Sequence, residues 1–152
     1  MNYISNMRET VGHKPLIIPG STLLVFNDKN ELLLNLRSDT NDWGLPGGGK
    51  ELYETMEECA IRELKEETNL DTNEIELLAV LSGKDYYYKY PNDDEVDTVI
   101  VLYQVKNYSG TVGVNDGESK ELKFFSLDAL PELETRAGII IDKIKKGIIK
   151  IK

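Results

Sequence analysis

Hydrophobic positions along the chain change their period several times, and each change marks an element. Tyr3, Ile4, Met7 and Val11 recur at helical spacing and predict a short helix over residues 1–11, ended by Gly12 and Pro15. Leu16-Ile17-Ile18 and Ser21 to Phe26 read as strand, interrupted at Pro19-Gly20, with a hairpin-type turn at Asn27-Asp28-Lys29-Asn30. The returning strand runs from Glu31 to Arg37 through Leu32-Leu33-Leu34. The period then becomes helical again, with Met56, Ala60, Ile61 and Leu64 on one stripe at about 100° per residue. Thr55 with Glu58 forms a capping box and predicts a start near Thr55, while Asn69 tolerates left-handed backbone and predicts an end near Thr68.

Glu74 to Leu81, Val96 to Val105 and Leu122 to Phe125 read as strands. Tyr86 to Tyr90 pairs with Val96 to Val105 across Pro91-Asn92-Asp93-Asp94. Alternation sends Tyr86, Tyr88 and Tyr90 to one side and Tyr87 to the other. Tyrosine suits a half-buried strand, so sheet surface or subunit contact is the first reading and an aromatic wall for a nucleobase the second. Thr135 to Lys146 predicts an amphipathic helix, with Ile139, Ile140, Ile141 and Ile144 covering one sheet face.

Composition narrows the picture. The 152 residues, 40% hydrophobic and 30% charged, fit one domain spanning 1–152 with a substantial core. A net charge of −9 disfavours a long nucleic acid or an anionic membrane as partner, but not a small anion whose charge a metal offsets. Cys59 is the one cysteine, so no intramolecular disulfide forms and a reducing, cytoplasmic setting is expected. No signal-peptide core and no membrane-length apolar run is expected either. His13 sits in the break after the first helix and receives no role.

The chemistry lies between Gly47 and Leu70. Gly47-Gly48-Gly49 reads as a glycine turn feeding the helix, and Trp43 before it as a packing residue. Glu63, Glu66 and Glu67 fall within about 100° of one another on the flank of the apolar stripe. The placement is unfavourable: Glu63 repels the other two at i+3 and i+4 by about 0.2–0.5 kcal/mol each. All three also lie toward the helix end that prefers cations. An ordinary solvated acidic helix is one reading. A cluster completed by a divalent cation is the other, and oxygen-only ligation suits Mg²⁺ or Mn²⁺.

The order Gly48, Glu54, Arg62-Glu63-Leu64, Glu66-Glu67, Asn69-Leu70 resembles the signature of the Nudix hydrolases, with Asn69 where the family usually has Gly. The resemblance implies an α/β fold, an α/β/α sandwich with a mixed central sheet. It implies Mg²⁺-dependent (or Mn²⁺-dependent) cleavage of a nucleoside diphosphate linked to a group X. Metal ligands are then Glu63, Glu66, Glu67 and the Gly47 carbonyl, with Glu67 bridging. Gly47, Gly48 and Glu54 belong to the cofactor-binding positions, Glu54 in a supporting part, and Arg62 holds a motif carboxylate in place. By offset from Phe124-Phe125, Glu118 is the first acid expected to approach the metals or act as general base, and Glu121 the second. Arg37 ends its strand either toward substrate or toward solvent. The partner is a small nucleotide, and a homodimer is compatible with the resemblance. Two alternatives stay open: a nucleotide-sensing module without turnover, and trimming of RNA 5′ ends by the same chemistry.

Overall fold

The computed structural model describes residues 2–114 and 119–152. Helix α1 (Tyr3–Val11) opens the chain, N-capped by the Asn2 side chain and stopped by Gly12 at φ 65°. Strand β1 (Leu16–Leu24) then runs unbroken through Pro19-Gly20, against the expected interruption. Its neighbours explain this: on one side the strand Glu95–Ser109 pairs with it in parallel without a break from Leu16 to Leu24. Strand β4 (Gly47–Gly49) pairs with β1 only over Gly20–Thr22, so Pro19 sits just past the paired stretch, and its carbonyl still accepts from the Lys50 N–H at 2.9 Å. A proline beside the end of a ladder removes no bond from it.

The glycines are therefore a strand, not a turn. Strands β2 (Leu32–Arg37), β3 (Trp43–Gly44), β5 (Asp71–Leu81), β6 (Tyr87–Lys89), β7 (Glu95–Ser109) and β8 (Ser119–Phe125) complete two sheets. One has the order β4-β1-β7-β5, with β6 also on β7; β1 and β7 are parallel and the other pairs antiparallel. The other is β3-β2-β8, all antiparallel. Alternating residues of the strands send apolar side chains to both faces, which is why two helices are needed.

Helix α2 (Met56–Thr68) covers one face. Its Ala60 and Leu64 join Leu23, Val25, Leu33 and Tyr103 in a core without solvent. Both ends form as the residues predict: the Thr55–Glu58 capping box is closed in both directions, and Asn69 is left-handed at φ 67°. Helix α3 (Thr135–Lys145) covers the opposite face, packing Ile140, Ile141 and Ile144 against Leu24, Leu34, Ile100 and Leu102. Each fully buried aliphatic side chain contributes about 1.5–3 kcal/mol, so the two clusters hold the sandwich together.

The tyrosine run departs from simple alternation. Gly83 at φ 101° starts a single 3₁₀ turn, Lys84–Tyr86, which takes Tyr86 out of the strand and buries it beneath Lys143. Tyr88 and Tyr90 remain together on one side, edge to face with centroids 4.9 Å apart. Tyr87 points the other way and bonds Glu95. Among the described residues, no helix is long and apolar enough to cross a membrane.

Candidate active site

Helix α2 lies against β4, and the absence of side chains on β4 is what permits it. A Cβ on Gly48 would lie 2.4 Å from Glu63 Oε1 and 2.7 Å from Oε2, inside the carboxylate itself. Only glycine lets the helix bring that acid onto the strand. One turn further, Glu67 is 7% exposed and its Oε2 accepts the Gly47 N–H at 2.9 Å. Ser21 on β1 ties the other end of the helix by donating to the Met56 carbonyl at 2.7 Å.

Arg62 organises the acids. Its Nε and Nη2 grip both oxygens of Glu54 at 3.0 and 2.7 Å, a bidentate pair. Nη1 reaches Glu63 at 2.9 Å and Glu66 at 3.2 Å, and Nη2 also donates to the Gly49 carbonyl at 3.0 Å. One guanidinium thus joins the helix, the loop before it and the glycine strand, offsetting the carboxylate repulsion. The hydrogen bonds from Arg62 hold the Glu54 carboxyl down at about 2, outweighing the opposing effect of burial. The same pairing pushes Arg62 above its ordinary value.

Two cavities open on this arrangement. The outer cleft, about 820 Å³, is bordered by Glu63, Glu66, Glu67, Arg62 and Gly47–Gly49. The inner pocket, about 330 Å³, lies on the other side of β4 and has an apolar floor of Ile18, Val96, Ile100 and Ile140. Ile4, Arg37, Tyr90 and the three glycines border both. Arg37 is at this junction and not simply turned to solvent, held by a bidentate pair with Asp39 at 2.9 and 3.0 Å. Beside it, Arg136 stacks on Tyr88 at 4.5 Å and is anchored by buried Glu134 at 2.9 Å.

The structure brings Gly47, Gly48, Glu54, Arg62, Glu63, Glu66 and Glu67 together. Glu118 lies outside the described residues. Glu121 is exposed on β8, opposite Leu36, and borders neither cavity. His13 pairs with Asp94 at 2.7 Å, and Trp43 packs edge-on against Phe125 at 4.9 Å. Sequence reasoning missed Ile4 and Asn35, which border the outer cleft, and the Arg136–Glu134 pair, which borders the inner one. Asn35 donates to Ser119 at 3.0 Å, while its buried Oδ1 has no hydrogen-bond partner among the described residues. A polar residue within the otherwise apolar Leu32–Leu36 run was the one available signal.

Among the described residues, no three acids, histidines or cysteines already converge as a metal cage. The donor set nonetheless fits a hard divalent ion. Glu63, Glu66 and Glu67 supply only oxygens and border one cleft, and the bare Gly48 lets the Glu63 carboxylate lie on the strand where a side chain would displace it. Arg62 and the Gly47 N–H hold these acids in place along the helix.

A mixed sheet between two helices, with an acid-bearing helix against a glycine strand, is the α/β/α sandwich of the Nudix type. Residues 18–144 match the NUDIX domain, and the chain belongs to that family. Members of the family use a divalent metal. The chain is 35% identical over 112 residues to an ADP-ribose pyrophosphatase from Methanocaldococcus jannaschii, covering 72% of this chain and 62% of that protein. It is 37% identical over 65 residues to an RNA pyrophosphohydrolase from a Marinomonas species, 43% of this chain and 40% of that one. The chain thus spans less than two thirds of these relatives' length. Among solved structures it resembles a MutT NUDIX hydrolase from Burkholderia pseudomallei, with TM-score 0.71 and 26% identity, over 85% of this chain and 98% of that one.

Proposed function

We propose that this chain hydrolyses a phosphoric anhydride in a small nucleotide, a nucleoside diphosphate linked to a group X, with Mg²⁺ or Mn²⁺ as cofactor. The observation that carries the reading is Glu63 lying on bare Gly48, with Glu66 and Glu67 of the same helix bordering the same cleft. Glu63, Glu66, Glu67 and the Gly47 carbonyl would hold the ion, which when bound polarises the phosphoryl oxygens and acidifies water. Arg62 keeps the carboxylates from spreading apart, and Glu54 orients Arg62. Gly48 lets the Glu63 carboxylate lie against the strand, where the ion would bind. Arg37, which borders both cavities, supplies positive charge to the diphosphate of a substrate that spans them. Glu118, or a motif glutamate oxygen facing water, accepts the proton as the attacking oxygen forms its bond to phosphorus. The anhydride bond breaks, and the products are a nucleoside monophosphate and phospho-X.

The relative from M. jannaschii supports ADP-ribose as one member of the substrate panel, and the Marinomonas relative supports triphosphorylated RNA as another. The net charge of −9 favours the small molecule, because a long RNA needs a cationic track that this chain lacks the charge to form. A cytoplasmic location and a single enzyme domain accompany this reading.

The test is turnover of ADP-ribose, (d)NTPs, dinucleoside polyphosphates and triphosphorylated RNA, with Mg²⁺, with Mn²⁺ and with EDTA. Metal-dependent release of a nucleoside monophosphate is expected, and it should vanish in Glu67→Gln. Tight nucleotide binding with no cleavage under any condition would overturn the enzyme reading in favour of a sensing module.

A further inference from the structure

Helix α1 lies outside residues 18–144, the stretch that matches the family domain. None of its residues is buried, so the core does not hold it. Nine residues are also too few for a helix to persist alone in water. Polar staples hold it instead, and they lead to the rim of the inner pocket. The Tyr3 N–H donates to Glu51 Oε1 at 2.9 Å. Arg8 donates through Nη1 to the carbonyls of Gly12 and Lys14, at 3.0 and 2.5 Å, and through Nη2 to the carbonyl of Glu95 at 2.6 Å. Its Nε lies 3.6 Å from Asp94, which also takes His13. The arginine thus ties the helix to the start of β7, where the pocket floor begins at Val96.

What these staples position is Ile4. A Cβ on Gly49 would lie 2.6 Å from Ile4 Cδ1, so the isoleucine occupies the space that the third glycine of β4 leaves open. Ile4 borders both cavities, as do Tyr90 and Arg37. A pocket of about 330 Å³ falls in the range for a small ligand, and its side formed by Ile4, Ile18, Val96, Ile100 and Ile140 offers an apolar surface to a planar base, while Arg8, Arg37 and Arg136 line the rest. The diphosphate would then lie toward the glycine strand and the acids, which border the neighbouring cleft.

We propose that α1 is a specificity element of the binding site: Ile4 forms the wall on which the nucleobase of the substrate packs in the inner pocket, and Arg8 positions that wall. The identity of the ligand rests on the hydrolase reading; the role of α1 does not depend on turnover. The full chain is compared with Ile4→Ala and Arg8→Ala in two assays. Binding of AMP, GMP, CMP and UMP in EDTA is followed by calorimetry, and KM and kcat are measured for the best substrate of the panel. At least one monophosphate should bind the wild type, its Kd should rise at least fivefold in both variants, and the loss in turnover should fall on KM. Because neither core cluster includes a residue of α1, both variants should keep the cooperative unfolding and circular dichroism of wild type, which separates a lost wall from a lost fold. Kd and KM within twofold of wild type in both variants would overturn the proposal, as would a wild type that binds none of the four. Base binding lost in the variants of a protein that cleaves nothing would instead overturn the hydrolase reading and leave this one standing.

Discussion

The two cavities share the glycine strand β4 as their common border, yet they are built in opposite ways. The outer cleft is polar and comes mostly from one short stretch, Gly47 to Glu67, in which a strand, a loop and a helix fold back on one another. The inner pocket is apolar-floored and gathers Ile4, Ile18, Tyr90, Val96 and Ile140 from positions far apart in the chain. A cluster of charges needs fixed spacing, because each carboxylate must meet the same guanidinium and the same backbone. An apolar pocket only needs volume and shape, which many residues can supply from anywhere. Chemistry is therefore concentrated locally, and ligand choice is distributed.

That contrast can be broken at several points. The largest effect is expected at Glu67, buried against the Gly47 N–H. Glu67→Gln should lower kcat at least about 10³-fold while circular dichroism and the unfolding temperature in EDTA stay near wild type. Wild-type turnover would remove Glu67 from the machinery. Gly48→Ala comes next: the new methyl must displace the Glu63 carboxylate, and a loss of about 10²-fold in turnover is expected with a smaller cost in stability. An unchanged rate would show that Glu63 need not lie on the strand.

Arg62→Ala leaves Glu54, Glu63 and Glu66 without their shared cation, and about 3 kcal/mol of stability should be lost in urea titrations in EDTA. Added Mg²⁺ should recover part of that loss if the same acids take the ion. Protonation gives a finer version of the same test. The Glu54 carboxyl is held at about 2 against an ordinary 4.5, so its pairing stabilises the fold fully above pH 4.5 and is lost as pH falls through 2. The contribution is about 2–3 kcal/mol. Glu54→Gln should therefore unfold more easily than wild type at pH 6, and the difference should shrink steadily toward pH 2. A gap that stays constant with pH would deny the charge pairing. The smallest effect belongs to Asn69, where Asn69→Gly should stabilise by about 0.5 kcal/mol, because glycine enters left-handed backbone at less cost.

Several features were legible from residues alone because their causes are local. Thr55 and Glu58 cap each other across three positions, and Asn69 ends the helix by its own backbone preference. The same holds for the three helices and the longer strands, whose periods follow from which face each side chain takes. The acid cluster was legible because i, i+3 and i+4 spacing fixes which carboxylates are neighbours.

Tertiary structure decided the rest. Pro19-Gly20 reads as a break, but β7 pairs with β1 without interruption from Leu16 to Leu24 and the missing Pro19 N–H falls past the end of the β4 ladder, so the strand continues. Three glycines read as a turn, but β1 offers them an edge and α2 packs an acid onto them, so they extend. Tyr86 reads as a member of an alternating strand, but the 3₁₀ turn after Gly83 places it under α3. Arg37 could not be assigned a direction until Asp39 and Tyr90 were seen around it. Sequence fixes those features whose interacting partners sit within a turn or two of helix. Where a residue's partner comes from tens of positions away, as Ile4 meets Gly49 and Arg8 meets Glu95, only the folded chain supplies the second half of the contact.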